Sequence, residues 1–338
     1  MKNNIVVLAI VLAAGFIACE KKAAGGAPAA ALSGVTFTVG DIQWKEDQVL
    51  FDAAGVGDTP YKLNITVFEG GNTSVEAVSA GQIDITRISE IPPLFAAQAE
   101  KGPNFTIVAL LHDHITTANQ EIIVLPESGI TTIAALKGKK VGYVKATTAH
   151  YFLYKFLEDA GLGFNDITPV EVTPSDGPAA LLAKSIDAYA GFGGAVNAAK
   201  EKGAVTLAFG ADKLSGYFPY VVPKAILSDS GKRAALFDFL GRMNAAYSWI
   251  AANPAAWAKL SASNTGLNEQ SALAQIQSGI SRLTSSVIAP SEATRASMQD
   301  IAGLFYRIGL IGKQVDVQTL YTTEYNAELE VAIARYAK

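Results

Sequence analysis

The chain has 338 residues, of which 50% are hydrophobic and 17% charged, and 27 Lys and Arg against 31 Asp and Glu leave a formal net charge of -4. Single cores stop growing at roughly 250 to 300 residues, so this length favours two domains. A basic nucleic-acid binder is excluded by the sign of the charge balance and by the absence of RNP, zinc-finger and basic-region patterns, and the apolar content excludes disorder for most of the chain.

The chain opens with Met1-Lys2-Asn3-Asn4, then a run from Ile5 to Ile17 that is almost wholly apolar, then Ala18-Cys19. A run of about 14 residues is too short for a hydrocarbon core that needs about 20, so it reads as an export signal over 1–19 and not as a membrane helix. Cys19 is the only cysteine and stands where a bacterial lipobox places its thiol, in the string Phe16-Ile17-Ala18-Cys19. That makes it the candidate lipidation site, although the position three before the cysteine is usually leucine. The other reading is ordinary cleavage after the Ala-rich stretch at Ala29 to Ala31. Residues 20–32 lack apolar periodicity, and their Ala, Gly and Pro content suits a flexible linker. With its one cysteine used by the signal, the chain has no intrachain disulfide and no catalytic thiol. No other segment is apolar enough to span a bilayer, so the membrane is reached only through a lipid anchor.

From Val35 onward, β-branched runs alternate with amphipathic stretches, the pattern of an α/β fold with mainly parallel strands. Strands are predicted at Val35–Val39, Leu63–Phe68, Ile83–Ile85 and Thr106–Leu111. A helix is predicted over Ser74–Ala80, and another from Pro92-Pro93, which suit a first helical turn, to about Lys101. A second α/β unit follows, with strands at Ile122–Leu125, Lys140–Tyr143, Val170–Val172 and Ala188–Ala190 and a helical turn at Ile133–Leu136. Between them, Ala149, Phe152, Leu153, Phe156, Leu157 and Ala160 mark one face of a helix that Gly161 stops, and Pro178–Lys184 forms another. After Phe218 the pattern is mostly helical, over Ala234–Ala251, Glu269–Ile280, Glu292–Ile308 and Val317–Leu329. If 119–212 is its own domain, the chain crosses between domains twice. Lobe 1 is then 33–118 plus 213–338, lobe 2 is 119–212, and a two-strand hinge joins them around a cleft.

Two loop-to-helix junctions could carry chemistry. Gly70-Gly71-Asn72-Thr73 allows close backbone approach and places Thr73 and Glu76 as a capping box; Lys145-Ala146-Thr147-Thr148-Ala149-His150 ends a strand and opens a helix. Free N–H groups at two helix starts facing one cleft would bind an anion without a full cation, although any helix start needs capping. His112-Asp113-His114, with His150 as a third ligand, is a weak metal pattern without a fourth ligand, so no metal and no cofactor is expected. No Gly-x-Ser-x-Gly elbow is present. Gly191-Phe192-Gly193-Gly194 lacks phosphate-loop or dinucleotide spacing. Trp44, Phe192, Tyr217 and Phe218 sit just beyond predicted strands, where doubly wound sheets bind ligands. Arg87, Ser89 and Glu90 follow the third strand. Arg87 either clamps an oxyanion bidentately or pairs with Glu90.

Several ordered strings resemble the periplasmic substrate-binding proteins of ABC importers, in the nitrate/sulfonate/taurine group and nearest to aliphatic-sulfonate binders. They are Tyr61-Lys62-Leu63 through Phe68, Val75-Glu76-Ala77-Val78-Ser79-Ala80-Gly81-Gln82-Ile83-Asp84 and Pro92-Pro93-Leu94-Phe95-Ala96. Leu136-Lys137-Gly138-Lys139-Lys140-Val141, Thr147-Thr148-Ala149-His150-Tyr151 and Leu304-Phe305-Tyr306 through Gly309-Leu310-Ile311 follow. The resemblance runs from about Val35 to Val317. It implies a monomer with a type II periplasmic-binding-protein fold, two lobes closing over a small anionic ligand, and delivery to a permease in the inner membrane. Carried over, the ligand contacts are Gln43, Trp44, Gly71, Asn72, Thr73, Ser89, Glu90, Thr147, Thr148, His150 and Phe192, with Arg87 and Tyr217 added from their positions.

The chain departs from the group in having Ser89-Glu90 where many relatives have Gly-Asp, and Phe192-Gly193-Gly194 where they have Trp-Asp-Pro. The second departure removes a carboxylate that would offset a buried ammonium, which argues against an amine-bearing ligand; Glu90 partly restores it. Arg87, where relatives often carry a neutral aromatic, favours a carboxylate or a second anionic group. The expectation is a binder of a small organic anion, sulfonate-like, working by population shift between open and closed forms. The alternatives are a binder of a neutral heterocycle such as a thiamine precursor, or an enzyme on the same fold, as in the group's desulfinases and pyrimidine-synthesising enzymes. The missing thiol argues against the enzyme.

Overall fold

The computed structural model describes residues 32–265 and 267–337. The export signal, Cys19 and the linker as far as residue 31 lie outside the described residues. The strands are β1 (Thr36–Ile42), β2 (Lys62–Phe68), β3 (Ile85–Arg87), β4 (Phe105–His112), β5 (Gln120–Val124), β6 (Lys140–Tyr143), β7 (Thr168–Glu171), β8 (Ala188–Phe192), β9 (Val205–Phe209), β10 (Tyr217–Pro223) and β11 (Ser286–Ile288). The helices are α1 (Glu46–Ala54), α2 (Gly71–Ser79), α3 (Ile91–Ala96), α4 (Thr148–Asp159), α5 (Asp176–Leu182), α6 (Gly193–Glu201), α7 (Ser230–Ala252), α8 (Pro254–Thr265), α9 (Glu269–Arg282), α10 (Glu292–Arg307) and α11 (Asn326–Tyr336).

They build two sheets. One has six strands in the order β11-β4-β10-β3-β1-β2, the other five in the order β7-β6-β8-β5-β9. Each has a parallel three-stranded part, β2-β1-β3 and β7-β6-β8. The remaining pairings are antiparallel, because β5 and β10 enter each sheet from the crossing segments and β9 and β11 pair as edges. The sheets are therefore mixed, and the parallel share is smaller than the strand pattern suggests.

Side chains alternate across the six-stranded sheet, so that one strand feeds two cores. From β4, Phe105, Ile107 and Leu110 pack under α2, α3 and α10, while Val108 and Leu111 face the core beneath α1, α7 and α8. The predicted stripe on α7 is buried there in full, with Leu236, Phe239, Leu240, Met243, Tyr247 and Ile250 all within the core. Each such side chain contributes about 1.5 to 3 kcal/mol on leaving water. A third core lies on the five-stranded sheet, with Phe152, Leu153 and Leu157 of α4 on Ile122, Ile123, Val141 and Tyr189.

The sequence reading did not include α1, α6, α8, β9 or β11, and three of the elements it did place differ. The segment after Phe218 is not helical at once: Tyr217–Pro223 is a strand between β4 and β3, although Pro219 and Pro223 argue against one. The register shifts between Tyr220 and Val221, and Pro219 still accepts from Ile88 N at 3.2 Å. The proposed helix over 317–329 is a short turn at Val317–Leu320, a bridge from Tyr321 to Ile107, and then α11. The third strand lies two residues later than expected, which puts Arg87 in the sheet opposite Tyr220 and not in the loop beyond it.

The chain passes from one sheet to the other at 113–119 and returns at 210–216. The passages are joined by Asp113 N donating to Gly216 O at 2.8 Å. Gly216 has φ +76, and a Cβ there would lie 2.8 Å from Asp113 O, so the contact requires glycine.

Candidate functional site: a cavity between the two sheets

The loops at the ends of β1 and β6 each contain a residue held in the left-handed region without being glycine, Gln43 at φ 69 and Ala146 at φ 58. Such strain persists only where surrounding structure fixes it, and it gathers at binding sites. Ala146 is followed by Thr147, the N-cap of α4, which donates to Val144 O at 2.7 Å and accepts from Ala149 N at 3.2 Å. With the cap in place, Thr148 is the first helical residue, and its hydroxyl donates to the Gln120 side chain.

Thr148 and Gln120 form one wall of a small cavity, about 20 Å³, that the two sheets share. From the six-stranded side come Ser89, Glu90 and Ile91 after β3, Leu214 to Phe218 leading into β10, and Ile301 of α10; Thr117 closes the crossing. No lysine or arginine lines it. The polar surface consists of hydroxyls, one amide, one carboxyl group and the start of α4. Such an arrangement satisfies an oxyanion with neutral donors and peptide dipoles.

Glu90 is the ionisable group at its centre. Ser215 Oγ donates to its Oε2 at 2.6 Å and Ser297 Oγ to the same oxygen at 3.1 Å, while Oε1 is buried with no partner. Burial pushes the carboxyl up to about 7, the nearby Asp300 adds to this, and the two serine hydroxyls oppose it.

A second, wider hollow of about 550 Å³ is lined by Tyr143, Lys145, His150, Tyr154, Phe164 and the turn Ile308 to Leu310. The His150 ring is packed between Tyr143 (4.8 Å), Phe164 (5.3 Å) and Phe305 (5.9 Å). Burial lowers it to about 4, and the charge of Lys145 acts the same way. A histidine near 6.5 when unfolded and near 4 when folded adds stability that is complete above pH 6.5 and is lost as pH falls from 6.5 to 4. His150→Phe is therefore expected to remove this acid-dependent loss. In urea unfolding, the difference between wild type and variant shifts by on the order of 2 kcal/mol between pH 7 and pH 4, and a constant difference would count against a buried neutral His150.

The structure brings Ser89, Glu90, Thr148 and Tyr217 into the lining of the shared cavity, and the other sequence candidates lie outside that lining. Trp44 is stacked on Trp257, with centroids 5.9 Å apart, and packs, half-buried, against the core under α7 and α8. Gln43 is held by its backbone N–H donating to Phe68 O. Gly71, Asn72 and Thr73 open α2. The N-cap is Gly70 without a side-chain cap, so the Thr73 capping box does not form, and Thr73 Oγ1 donates back to Gly70 O. Gly71 lies against Pro92 and Ile88, beside the Ser89-Glu90 loop. Phe192 is the N-cap of α6 and packs against the five-stranded core.

Arg87 pairs neither with Glu90 nor across the cavity. Its Nη2 lies 3.3 Å from Glu46 Oε2 and 3.8 Å from Asp47 Oδ1, and its guanidinium sits over Tyr247. His112 packs on Tyr217 at 4.6 Å and His114 bonds Thr117, so the three histidines do not converge. Among the described residues no group of three His, Cys, Asp or Glu could hold a metal ion. Thr117, Gln120 and Ser215 are lining or supporting residues that sequence reasoning missed. They lie in or at the ends of the crossing segments, and their signal was position alone.

Contacts around the cavity join elements of the two sheets. Tyr151 of α4 donates to Asp300 of α10 at 2.8 Å, Arg307 lies 3.6 Å from Glu158, Arg282 lies 2.8 Å from Asp212, and Asn268 donates to Glu201 at 2.7 Å. The two ion pairs among them contribute about 0 to 1 kcal/mol each.

Two α/β halves, two chain crossings and a cavity lined from both halves define the class: a substrate-binding protein with the type II periplasmic-binding-protein fold. The sequence matches the family described as NMT1/THI5 like over residues 61–257, and the chain belongs to that family. It is 30% identical over 260 residues to a protein of Escherichia coli (strain K12) named as an aliphatic sulfonates-binding protein, covering 76% of this chain and 78% of that one. The structure is similar to the periplasmic aliphatic sulphonate binding protein SsuA from Escherichia coli, with a TM-score of 0.76 and 25% identity, covering 85% of this chain and 92% of that chain. It shares the fold of the alkanesulfonate-binding protein SsuA from Xanthomonas axonopodis pv. citri bound to MOPS, with a TM-score of 0.70 and 24% identity over 86% of this chain and 99% of that chain. The relatives it matches in this way are binding proteins by name.

Proposed function

We propose that this chain is the extracytoplasmic solute-binding component of an ABC importer, capturing a small sulfonate-like anion between two closing lobes and delivering it to a membrane permease. The lobes are 33–118 with 213–338, and 119–212. Export and lipidation at Cys19, a periplasmic location and a monomeric state are part of the same reading. The observation that carries it is the shared cavity, in which the first turn of α4 and Thr148 on one side face Ser89, Glu90 and Tyr217 on the other.

A ligand touching both walls has more contacts in the closed form than in the open one, and that difference alone drives closure. The guest is held by neutral donors and released without chemical change. Support for the sulfonate class comes from the named relatives. In this structure the cavity has a volume of about 20 Å³, room for a water, so a guest enters it only as the two lobes part.

Calorimetric titration with ethanesulfonate is the test. Thr148→Val keeps the side-chain shape but removes the hydroxyl that must turn from Gln120 to the guest, and it is expected to weaken binding by roughly tenfold, the worth of one hydrogen bond to a charged group. Wild-type protein that binds uncharged heterocycles and no sulfonate, or that turns over its ligand, would overturn the proposal.

A further inference from the structure

The cavity presents a contradiction if it holds an anion, because its one charged residue type is acidic. We propose that Glu90 enters the site as an uncharged carboxylic acid and donates Oε1–H to an oxygen of a monoanionic guest, so that anion binding is coupled to uptake of one proton. This deepens the proposed function and rests on it. The guest class that follows is a monoanion without an ammonium group.

The hydrogen-bond pattern divides the two oxygens of the carboxyl group. Oε2 accepts from both Ser215 and Ser297 and is thereby the carbonyl oxygen. Oε1 is buried with no partner in a residue that lines the cavity, which leaves it to carry the proton, and it meets a guest oxygen only as the cavity reshapes on binding. An ionised carboxylate at this place would be buried with no ion pair, since Glu90 makes none among the described residues. Isolated buried charges neutralise before they persist.

Among the described residues no cation makes an ion pair with Glu90; Arg295 of α10, two residues before Ser297, acts on Tyr321. Asp300 of α10 adds negative charge and is itself engaged by Tyr151 Oη at 2.8 Å and by Lys155 at 3.7 Å. Tyr151 of α4 and Tyr321 are phenols that burial holds un-ionised. Tyr217 of β10 lines the same cavity. The carboxyl already titrates near neutrality, at about 7. An anion beside it strengthens the preference for the protonated form, so binding above that pH must draw a proton from solvent.

The sign follows directly. Below about pH 7 the acid is already protonated and affinity for the anion is constant; above it, affinity falls by about tenfold per pH unit, the slope for one linked proton. Titration of the mature protein with ethanesulfonate from pH 6 to 9, in sulfonate-free buffers that differ in ionisation enthalpy, reads both quantities. The expected result at pH 8 is uptake of nearly one proton per ligand. Glu90→Gln, which keeps a neutral donor at this position, is expected to bind with an affinity flat in pH and with no proton exchanged, its folding checked by thermal melting.

Ethanesulfonate binding with pH-independent affinity in wild type would overturn the proton coupling while leaving the sulfonate reading intact. Taurine binding more tightly than ethanesulfonate, with proton release in place of uptake, would show Glu90 acting as a carboxylate toward ammonium and would overturn it as well. Failure of every sulfonate to bind would remove the functional reading and this inference together.

Discussion

Arg87→Ala is expected to lower the unfolding free energy by roughly 3 to 5 kcal/mol, the cost of removing one member of a buried ion pair, while the folded protein keeps its affinity for ethanesulfonate within about twofold. Arg87 lies in β3 opposite Tyr220, on the face that carries Ile85 into the core under α7. Its side chain is 11% exposed and that of Asp47 is 2% exposed, so neither charge reaches much water. Glu46 completes the cluster at 3.3 Å. Asp41 stands behind them, accepting from Asp47 N, and its carboxyl is pushed up to about 9 by burial and then by the charges of Asp47 and Glu46. The guanidinium is the cation that offsets this group, and without it Glu46 and Asp47 must either ionise unpaired or take up protons at a cost. Urea unfolding at pH 7 and calorimetry on the same preparation separate the outcomes. Normal stability with a tenfold loss of affinity would return Arg87 to the role of oxyanion clamp that its place after the third strand suggested.

The difference between those two roles came from two residues of strand length. The Ile83–Ile85 reading stops the strand where hydrophobic residues stop, and Arg87 then falls in a loop that faces the ligand. In the structure the strand continues through Thr86, whose hydroxyl donates to Gly40 O at 2.8 Å, and through Arg87 itself. A charged residue continues a central strand only when partners from elsewhere meet it, here from α1. That helix was not read because its apolar face consists of little more than Val49, Leu50 and Phe51. Pattern is legible when a face is long, as on α4 and α7, and fades when an element is short and held by tertiary contacts.

The site divides in the same way. Ser89, Glu90, Thr148 and Tyr217, which line the shared cavity, were legible because each follows or begins a strand or helix, where doubly wound sheets place their ligands. Trp44 satisfied the same rule, yet a second tryptophan 213 positions later in sequence takes it for the core, as the stack with Trp257 shows. Gln120, Thr117 and Ser215 have no periodic context, and their place in the cavity depends on where the chain crosses between sheets. The crossings themselves were anticipated from the alternation of two α/β runs, but not the residues that fix them.

Asp113 is the residue that fixes the first crossing, and Asp113→Ala is expected to cost on the order of 3 kcal/mol, because buried donors that lose their acceptor cost about 1 to 3 kcal/mol each. The carboxylate is fully buried and uses both oxygens. Oδ1 accepts from Ile115 N at 3.0 Å and Ser285 Oγ at 2.5 Å, and Oδ2 accepts from Thr116 N at 2.9 Å and Thr116 Oγ1 at 2.6 Å. The hydroxyls can turn elsewhere, but the two backbone N–H groups cannot, and they set the direction in which the chain leaves β4. Asp113→Asn keeps one accepting oxygen and turns a donor toward Thr116, so an intermediate loss is expected, measured by urea unfolding. Thr117 and Gln120 hang from this turn and line the cavity, so Asp113→Ala should also weaken ethanesulfonate binding by several-fold under conditions where it remains folded. A variant as stable as wild type would mean that the return crossing at 210–216 alone sets the geometry. A stable fold with full affinity lost would instead make this turn part of the mechanism by which the two halves meet.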